Sequence, residues 1–379
     1  MNDLGIGLIG FGFIGRVHAL GYRSVPLYYS PAPCRPRLVG VCTSREETAR
    51  KAVDEIGFEV GTTDYRELIA RDDIQLIDCC TPNDSHREII AAAAQAGKHV
   101  YCEKPLAVNG KQAWEMAAEV QRADVKHQVA LQYRFIPAIM RAKQLIDEGR
   151  LGRLFTARVC YLHAGYIDPA RPVTWRMRKA VGGGGALLDL GCHVLDLLTH
   201  LAGNFDQVWA ATPTFIKERP SAKGAADRVP VDVDDAAYIL LRRNEPSAMA
   251  TVEVSRVATG TNDEIRLELH GDKGALRFNS MDPNWLHFYD LSDPGEPLGG
   301  ERGYKAIEVV QRYPKPSVLP GEKFSIGWMR YHISAIHELL ACIAEDRPCA
   351  PSFEEAAKLQ DLMDCVYESA EEEKWVDTR

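Results

Sequence analysis

Three groupings in this chain are of residue types that do chemistry. The first is Gly10-Phe11-Gly12-Phe13-Ile14-Gly15, a Gly-x-Gly-x-x-Gly run near the N-terminus. In such a run one glycine permits a tight turn and another lets backbone approach a pyrophosphate. The third lets helix and strand pack closely, and the helix N-terminus faces the anion. Gly10, Gly12, Phe13, Ile14 and Gly15 are therefore candidate contacts to a dinucleotide. The second grouping is Glu103-Lys104-Pro105, which stands at a strand's carboxyl end and can put a lysine at the edge of a ligand cleft. The third runs Leu188-Asp189-Leu190-Gly191-Cys192-His193. There Asp189 and His193 stand at i and i+4 on one helix face, and Asp196 continues the stripe. A carboxylate beside an imidazole raises its basicity and fixes its orientation; the alternative is an ion pair on the helix surface.

Each grouping needs elements that aim it. Strand-like apolar runs at 5–9, 38–42, 76–80, 99–102 and 125–131 alternate with helical patterns at 14–24, 46–56, 65–70, 85–96 and 111–122. This rhythm predicts an α/β fold whose N-terminal part is a Rossmann doubly wound parallel sheet. Asn83 or Asp84 can cap one helix, and Gly57 and Gly97 suit helix ends. Residues 24–37 carry Pro26, Pro31, Pro33 and Pro36 with Tyr28 and Tyr29. They are expected to be neither regular helix nor central strand, but a packed loop or part of an interface.

Beyond residue 131 the texture changes. A helix at 136–148 precedes strand patterns at 154–161, 208–215, 235–241, 248–254 and 264–269. Residues 271–274 read as a hairpin turn before a strand at 275–278. Helices are expected at 186–201, 331–345 and 353–368, with polar connectors at 217–230 and 282–320. The second part thus reads as an α/β domain with a large open, mainly antiparallel sheet. The expected division is 1–131 for dinucleotide binding and 132–379 for substrate binding and oligomerisation.

Ligands in open α/β sheets bind at strand carboxyl ends. Thr81-Pro82-Asn83, with His86 one turn on, stands at one such end and Glu103-Lys104 at the next. After the second strand comes Thr43-Ser44-Arg45, with no acid to meet a free ribose hydroxyl. Small hydroxyls followed by arginine suit a 2′-phosphate; alternatively Ser44 caps the next helix and Arg45 is solvated. NAD(H) and NADP(H) both remain open. The glycines 182–185 mark a loop where backbone approaches something closely.

Composition removes other classes. The 379 residues carry a net charge of −8, with 46% hydrophobic and 26% charged residues, and no block of like charge. Nothing here suits nucleic acid. No apolar run approaches the ~18 residues of a membrane span, and no basic region precedes a signal core. The chain is expected to start at Met1 and to stay in the cytoplasm. Its ten cysteines include no Cys-x-x-Cys pair, so buried free thiols are expected and no metal site.

Taken together, the glycine run, Glu103-Lys104-Pro105 and the Gly-Gly-Gly-x-x-x-Asp-x-x-x-His stretch resemble the Gfo/Idh/MocA oxidoreductases, relatives of glucose–fructose oxidoreductase and inositol 2-dehydrogenase. Residues 28–33, Trp175-Arg176 and 231–235 further resemble the levoglucosan-dehydrogenase-like branch. The resemblance implies hydride transfer between a nicotinamide and a CH–OH group of a sugar, anhydrosugar, inositol or related polyol. It implies Lys104, Asp189 and His193 as catalytic positions. His193 would be the general base, Lys104 the alkoxide stabiliser, and Asp189 would hold a substrate hydroxyl or the imidazole. It further implies that Trp175 and Arg176 reach the cofactor, and that Tyr161, His163, Trp328 and Tyr331 face the substrate. The C-terminal sheet would make a homodimer or homotetramer. The competing readings are nicotinamide-assisted glycoside cleavage and a non-catalytic cofactor-binding regulator.

Overall fold

In the computed structural model, which describes residues 2–378, the chain forms two compact units. The first is built on residues 1–135. Its elements are β1 (Asp3–Ile9), α1 (Phe13–Tyr28), β2 (Arg35–Cys42), α2 (Glu46–Ile56), β3 (Val60–Thr62), α3 (Tyr65–Ile69), β4 (Leu76–Cys79), α4 (His86–Gln95), β5 (His99–Cys102), α5 (Gly110–Arg122) and β6 (His127–Val129). The six strands pair in the order β3-β2-β1-β4-β5-β6, all parallel. Order reverses between β1 and β4, so a ligand crevice opens at their carboxyl ends. The central strands are apolar on both faces because helices cover both, and Ile6, Leu8, Leu76, Ile77 and Val100 are fully buried.

The second unit carries α6 (Pro137–Asp147), β7 (Leu154–Leu162), a short α7 (Lys179–Gly182), α8 (Cys192–Ala202), β8 (Gln207–Ala211), β9 (Glu218–Pro220), β10 (Arg228–Pro230), β11 (Ala236–Arg243), β12 (Ala248–Ser255), β13 (Glu264–Gly271), β14 (Gly274–Asn279), β15 (Trp285–Asp290) and β16 (Tyr304–Glu308). The chain then forms α9 (Trp328–Ala344) in the first unit. Next comes α10 (Phe353–Glu372), which begins in the first unit and ends in the second, and last β17 (Val376–Asp377). Nine strands pair in the order β16-β15-β14-β13-β7-β12-β11-β8-β17, all antiparallel except β7 with β12. Strict alternation puts Ala248, Ala250 and Val252 inside and Met249, Thr251 and Glu253 outside.

Several expectations are corrected. The helix at 14–24 continues to Tyr28 through Pro26. Pro26 falls in the last turn, where the missing N–H costs a single ladder bond. β2 starts at Arg35 and takes in Pro36 at its first turn of strand, where a ladder donor can be spared. What remains of the insertion is a packed loop. Ser30 N–H donates to the Pro316 carbonyl at 2.9 Å, and Val318 N–H to that of Tyr28 at 2.9 Å. The Arg330 guanidinium lies 4.9 Å from the rings of Tyr28 and Tyr29 and 3.9 Å from that of Tyr313.

The polar connectors are not featureless either. Residues 217–230 hold the β9–β10 hairpin, and 282–320 hold β15 and β16 at the edge of the large sheet. Trp285-Leu286-His287-Phe288 alternates with period two, and its polar members face outward. β8 stops at Ala211, short of 215, and Pro213 offers its carbonyl to Asp235 N–H instead. The first unit also takes in 313–321 and 327–360, segments that the sequence reading assigns to 132–379. Among the described residues, one stretch, Lys179–Ala202, is long and apolar enough to cross a membrane, and 83% of its apolar window is buried within the protein.

Candidate active site

The glycine turn follows β1. Gly10 has φ +93°, and a Cβ there would stand 2.5 Å from the Cys80 carbonyl oxygen, so only glycine fits where β1 and β4 end side by side. A Cβ on Gly15 would stand 2.1 Å from the Gly10 carbonyl oxygen. A Cβ on Gly12 would meet nothing within 4 Å. Gly12 is the N-cap of α1 and makes no side-chain cap. The arrangement is a donor-rich helix N-terminus with backbone open to an approaching anion, and this fits a pyrophosphate. Phe13 is 75% exposed and stacks on Trp328 at 5.9 Å. The Trp328 indole donates to Tyr133 Oη at 3.3 Å. Ile14 is half-buried beside it.

At the end of β2 the Thr43 hydroxyl is engaged locally, 2.7 Å from both the Arg45 carbonyl and Thr48 Oγ1. Ser44 and Arg45 are exposed. The N-cap of α2 is Arg45 and lacks a side-chain cap, so Ser44 does not play the capping part considered for it.

After β4, Ser85 Oγ donates to Thr81 Oγ1 at 2.8 Å and Pro82 leads into the turn Asn83–Ser85, with Asn83 buried. His86 is fully buried, its Nδ1 3.1 Å from the Leu106 carbonyl and its Nε2 3.0 Å from that of Thr81. Both nitrogens lie against carbonyls, so His86 braces the loops that carry them.

Lys104 follows β5, half-buried, with a cis bond to Pro105. Glu103 is buried, and its Oε2 accepts from the Lys104 backbone N–H at 3.2 Å. Its Oε1 lies 3.1 Å from Nε2 of His18, a residue of α1 that the sequence reading passed over. His18 Nδ1 in turn lies 3.0 Å from Asp78 Oδ2. Burial disfavours charge on His18, but the Asp78 and Glu103 carboxylates outweigh it and push its pKa up to about 10. Tyr331 on α9 is buried, 6.3 Å ring to ring from Tyr133, and burial pushes its phenol pKa up. His332 is buried too, and burial, then the charges of His18 and Lys104, push its pKa well down.

In the second unit the helix expected at 186–201 opens with a π-helical turn, Leu187–Gly191, before α8 begins. Asp189 lies in that turn and His193 in the first turn of α8. The Asp189 carboxylate is clamped. Arg256 Nη2, fully buried, stands 3.2 Å from its Oδ2, and Arg176 Nε stands 3.9 Å from its Oδ1. Arg256 also donates to the Arg176 carbonyl at 3.3 Å, and the Arg176 guanidinium covers the Trp175 ring at 4.3 Å. His193 is buried, with the Tyr161 ring 6.0 Å away. Tyr161 Oη donates to Asp263 at 2.7 Å. His163 Nδ1 accepts from Gly165 N–H at 3.0 Å, and burial lowers its pKa against the pull of Asp189.

The close approach expected of the glycines is to the protein itself. A Cβ on Gly184 would stand 2.0 Å from Tyr367 Oη, and one on Gly185 1.9 Å from the Asp234 carbonyl. Asp234 accepts from Gly185 and Leu187 N–H, each at 2.8 Å, and from Tyr367 Oη at 2.6 Å. Its carboxylate thereby serves the helix N-terminus that carries Asp189.

Fold also gathers thiols that sequence spacing does not: Cys79, His86 and Cys102 form one buried trio and His18, Asp78 and Cys80 another. In both, the histidine is already engaged by carbonyls or carboxylates. The ten cysteines are all free.

These features can be set beside known proteins. The family model described as "Oxidoreductase family, NAD-binding Rossmann fold" matches residues 4–131, and that of the GFO/IDH/MocA C-terminal domain matches 139–277. The chain is 37% identical to levoglucosan dehydrogenase of Pseudarthrobacter phenanthrenivorans, over 100% of this chain and 98% of that protein. It is 28% identical to myo-inositol 2-dehydrogenase of Thermotoga maritima, over 72% of this chain and 74% of that protein. Among solved structures, levoglucosan dehydrogenase in complex with NADH and levoglucosan superposes with a TM-score of 0.94 at 36% identity, each chain covered entirely.

Proposed function

The chain belongs to the Gfo/Idh/MocA oxidoreductase family, and from that premise we propose an NAD(P)-dependent dehydrogenase acting on a CH–OH group of a sugar, anhydrosugar, inositol or related polyol. Levoglucosan, the substrate named for the 37%-identical relative, is the first compound to test. The observation that carries this reading is the presence in one chain of Lys104, Asp189 and His193 at the motif positions and of a glycine turn whose open face at Gly12 fits a dinucleotide.

In this reading Gly10, Gly12, Phe13, Ile14 and Gly15 hold the pyrophosphate. Thr81, Pro82, Asn83, Glu103 and Lys104 contribute from neighbouring strand ends, and Thr43, Ser44 and Arg45 meet the adenosine ribose. Trp175 and Arg176 belong to the same set. The nicotinamide, when bound, supplies the hydride acceptor. His193 takes the hydroxyl proton as general base. The Lys104 ammonium donates to the oxygen as negative charge grows there. Asp189, held by Arg256 and Arg176, is a fixed anchor for a substrate hydroxyl. Tyr161, His163, Trp328 and Tyr331 complete the substrate contacts. Residues 1–131 serve the dinucleotide, and 132–379 the substrate and assembly.

The outer face of the large sheet supports a homodimer or homotetramer. Phe155, Tyr238 and Met249 are exposed there beside Arg158, Glu253 and Arg266. Tyr238→Glu with Met249→Glu is expected to dissociate the assembly in light scattering. We assign the protein to the cytoplasm.

The deciding experiment is a sugar and polyol panel followed by NAD(P)H absorbance, run with wild type and Lys104→Met. Turnover that falls by about 10³ with NADH binding retained supports the mechanism. Turnover surviving the substitution refutes it. Tightly held cofactor with no net NAD(P)H formation would point to glycoside cleavage, and binding without any turnover to a regulator.

A further inference from the structure

His18 stands one helical turn beyond Gly15 on α1, so the helix that opens at the glycine turn carries it into the core. It is 0% exposed, as is Asp78, and Glu103 is 7% exposed. Nδ1 lies 3.1 and 3.0 Å from the two Asp78 oxygens, and Cys80 Sγ donates to Oδ1 of the same carboxylate at 3.3 Å. Nε2 lies 3.1 Å from Glu103 Oε1, while Oε2 receives the Lys104 amide at 3.2 Å. The Glu103 backbone is fixed as well, donating to the Cys79 carbonyl at 2.9 Å. The Tyr101 ring, 5.0 Å away, and that of His332, 5.9 Å away, close off the imidazole.

We propose that His18 is a positioning residue for the reaction: it locks the Glu103 carboxylate, and through it the backbone at Lys104, to the helix that begins at the glycine turn. One oxygen of Glu103 lies against His18 and the other accepts the lysine amide. The carboxylate cannot swing without breaking one of these contacts. A buried ion pair is weak evidence for stability by itself. Here its partner is the residue bonded to the reacting lysine.

The inference rests on Lys104 being catalytic, so Lys104→Met is measured alongside. Asparagine carries its amide where Nδ1 stands and glutamine where Nε2 stands. His18→Asn therefore keeps a donor to Asp78 and loses the one to Glu103, while His18→Gln keeps the latter. Expected for His18→Asn is a fall in kcat of about 100-fold, the cost of misplacing a catalytic group by about 1 Å. NADH affinity and the sugar KM stay within about threefold of wild type. His18→Gln recovers at least about fivefold of the lost kcat, since the missing contact is the one restored. If His18→Asn does not fold, the isosteric Asp78→Asn, which loosens the other end of the imidazole, carries the test through the same kcat-selective loss. Wild-type kcat in the folded variant overturns the inference. So does a kcat loss matched by weakened NADH binding, or a glutamine variant no faster than the asparagine one. If Lys104→Met keeps turnover, the catalytic reading itself has failed and this one falls with it. If Lys104→Met is dead while His18→Asn is fully active, only the positioning role is lost.

Discussion

Replacing Arg256 by methionine removes the charge that clamps Asp189, and the structure sets the size of the effect. At 3.2 Å, two unit charges in an effective dielectric near 20 attract by about 5 kcal/mol. Stripping one partner from a buried pair costs about 3–5 kcal/mol. Two features reduce that figure. The Asp189 side chain is 20% exposed and rehydrates, and Arg176, 3.9 Å away, takes over part of the pairing. The expected local loss for Arg256→Met is therefore about 2–3 kcal/mol. Asp189→Asn should cost at least as much, because it leaves a guanidinium only 2% exposed without its anion. The double variant should cost less than the two single changes together, by about 2 kcal/mol of coupling. Native-state hydrogen exchange of peptides covering 187–202 reads the loss where it occurs, in the turn that carries Asp189. A coupling below about 0.5 kcal/mol would refute the clamp, since independent sites add to within that margin. Sugar kcat/KM of Arg256→Met should fall by about tenfold or more as the anchor loses its orientation.

Gly12→Ala places its Cβ in open space, so it should fold with Tm within about 2 °C of wild type yet lose NADH affinity by about tenfold or more in a fluorescence titration. Gly15→Ala meets the Gly10 carbonyl at 2.1 Å and should instead lose about 1–3 kcal/mol of stability. No acid stands at the end of β2 to repel a 2′-phosphate. NADP should therefore be accepted beside NAD, and Arg45→Ala should raise the KM for NADP by about tenfold while moving that for NAD by less than about twofold. His127 Nδ1 accepts the Phe353 N–H at 3.2 Å, and burial, then Lys126, push its pKa down to about 4. Below pH about 6.5 the unfolded chain takes up that proton first, so this stabilisation is complete above 6.5 and fades as pH falls toward 4. His127→Asn keeps an acceptor that does not titrate, so its urea midpoint should shift less than that of wild type between pH 7.5 and pH 5.

The parallel α/β rhythm of the first unit was legible because its strands are short, apolar and separated by helices, and its glycines sit where a turn demands them; the three-residue β3 was not. The motif positions were legible for a related reason: each is a local run, readable within a few residues. What holds the motifs was not. His18 lies 60 residues from Asp78 and 85 from Glu103 in sequence, and inside a helix its spacing matches an ordinary core position. Arg256 follows directly on β12, 67 residues from Asp189, and reads as the solvated end of a strand. Asp234 was visible only as part of an acidic tract. Pro26 misled the reading because its cost depends on where in a helix it falls, and the last turn forgives it. β15 and β16 were lost because a sheet edge with a solvated face needs few apolar residues.

The pattern of these omissions has a physical cause. The lysine motif, the Asp189–His193 motif and the tract at 231–235 each withdraw a carboxylate largely from water, and a buried charge persists only where a counter-charge or a set of donors meets it. Glu103 meets His18, Asp189 meets Arg256, and Asp234 meets two amide donors and a phenol. In every case the partner comes from a distant stretch of chain, because residues next in sequence cannot close around a side chain from the side that faces the core. In the proposed reading Lys104 and His193 act among charges fixed by folding, and a fixed field stabilises developing charge without the reorganisation water requires. A chain that kept Lys104, Asp189 and His193 but lost His18 and Arg256 would present the same motifs and a disordered field. It should bind the dinucleotide at the glycine turn and turn over substrate poorly, and that dissociation of binding from kcat is where motif and scaffold can be told apart.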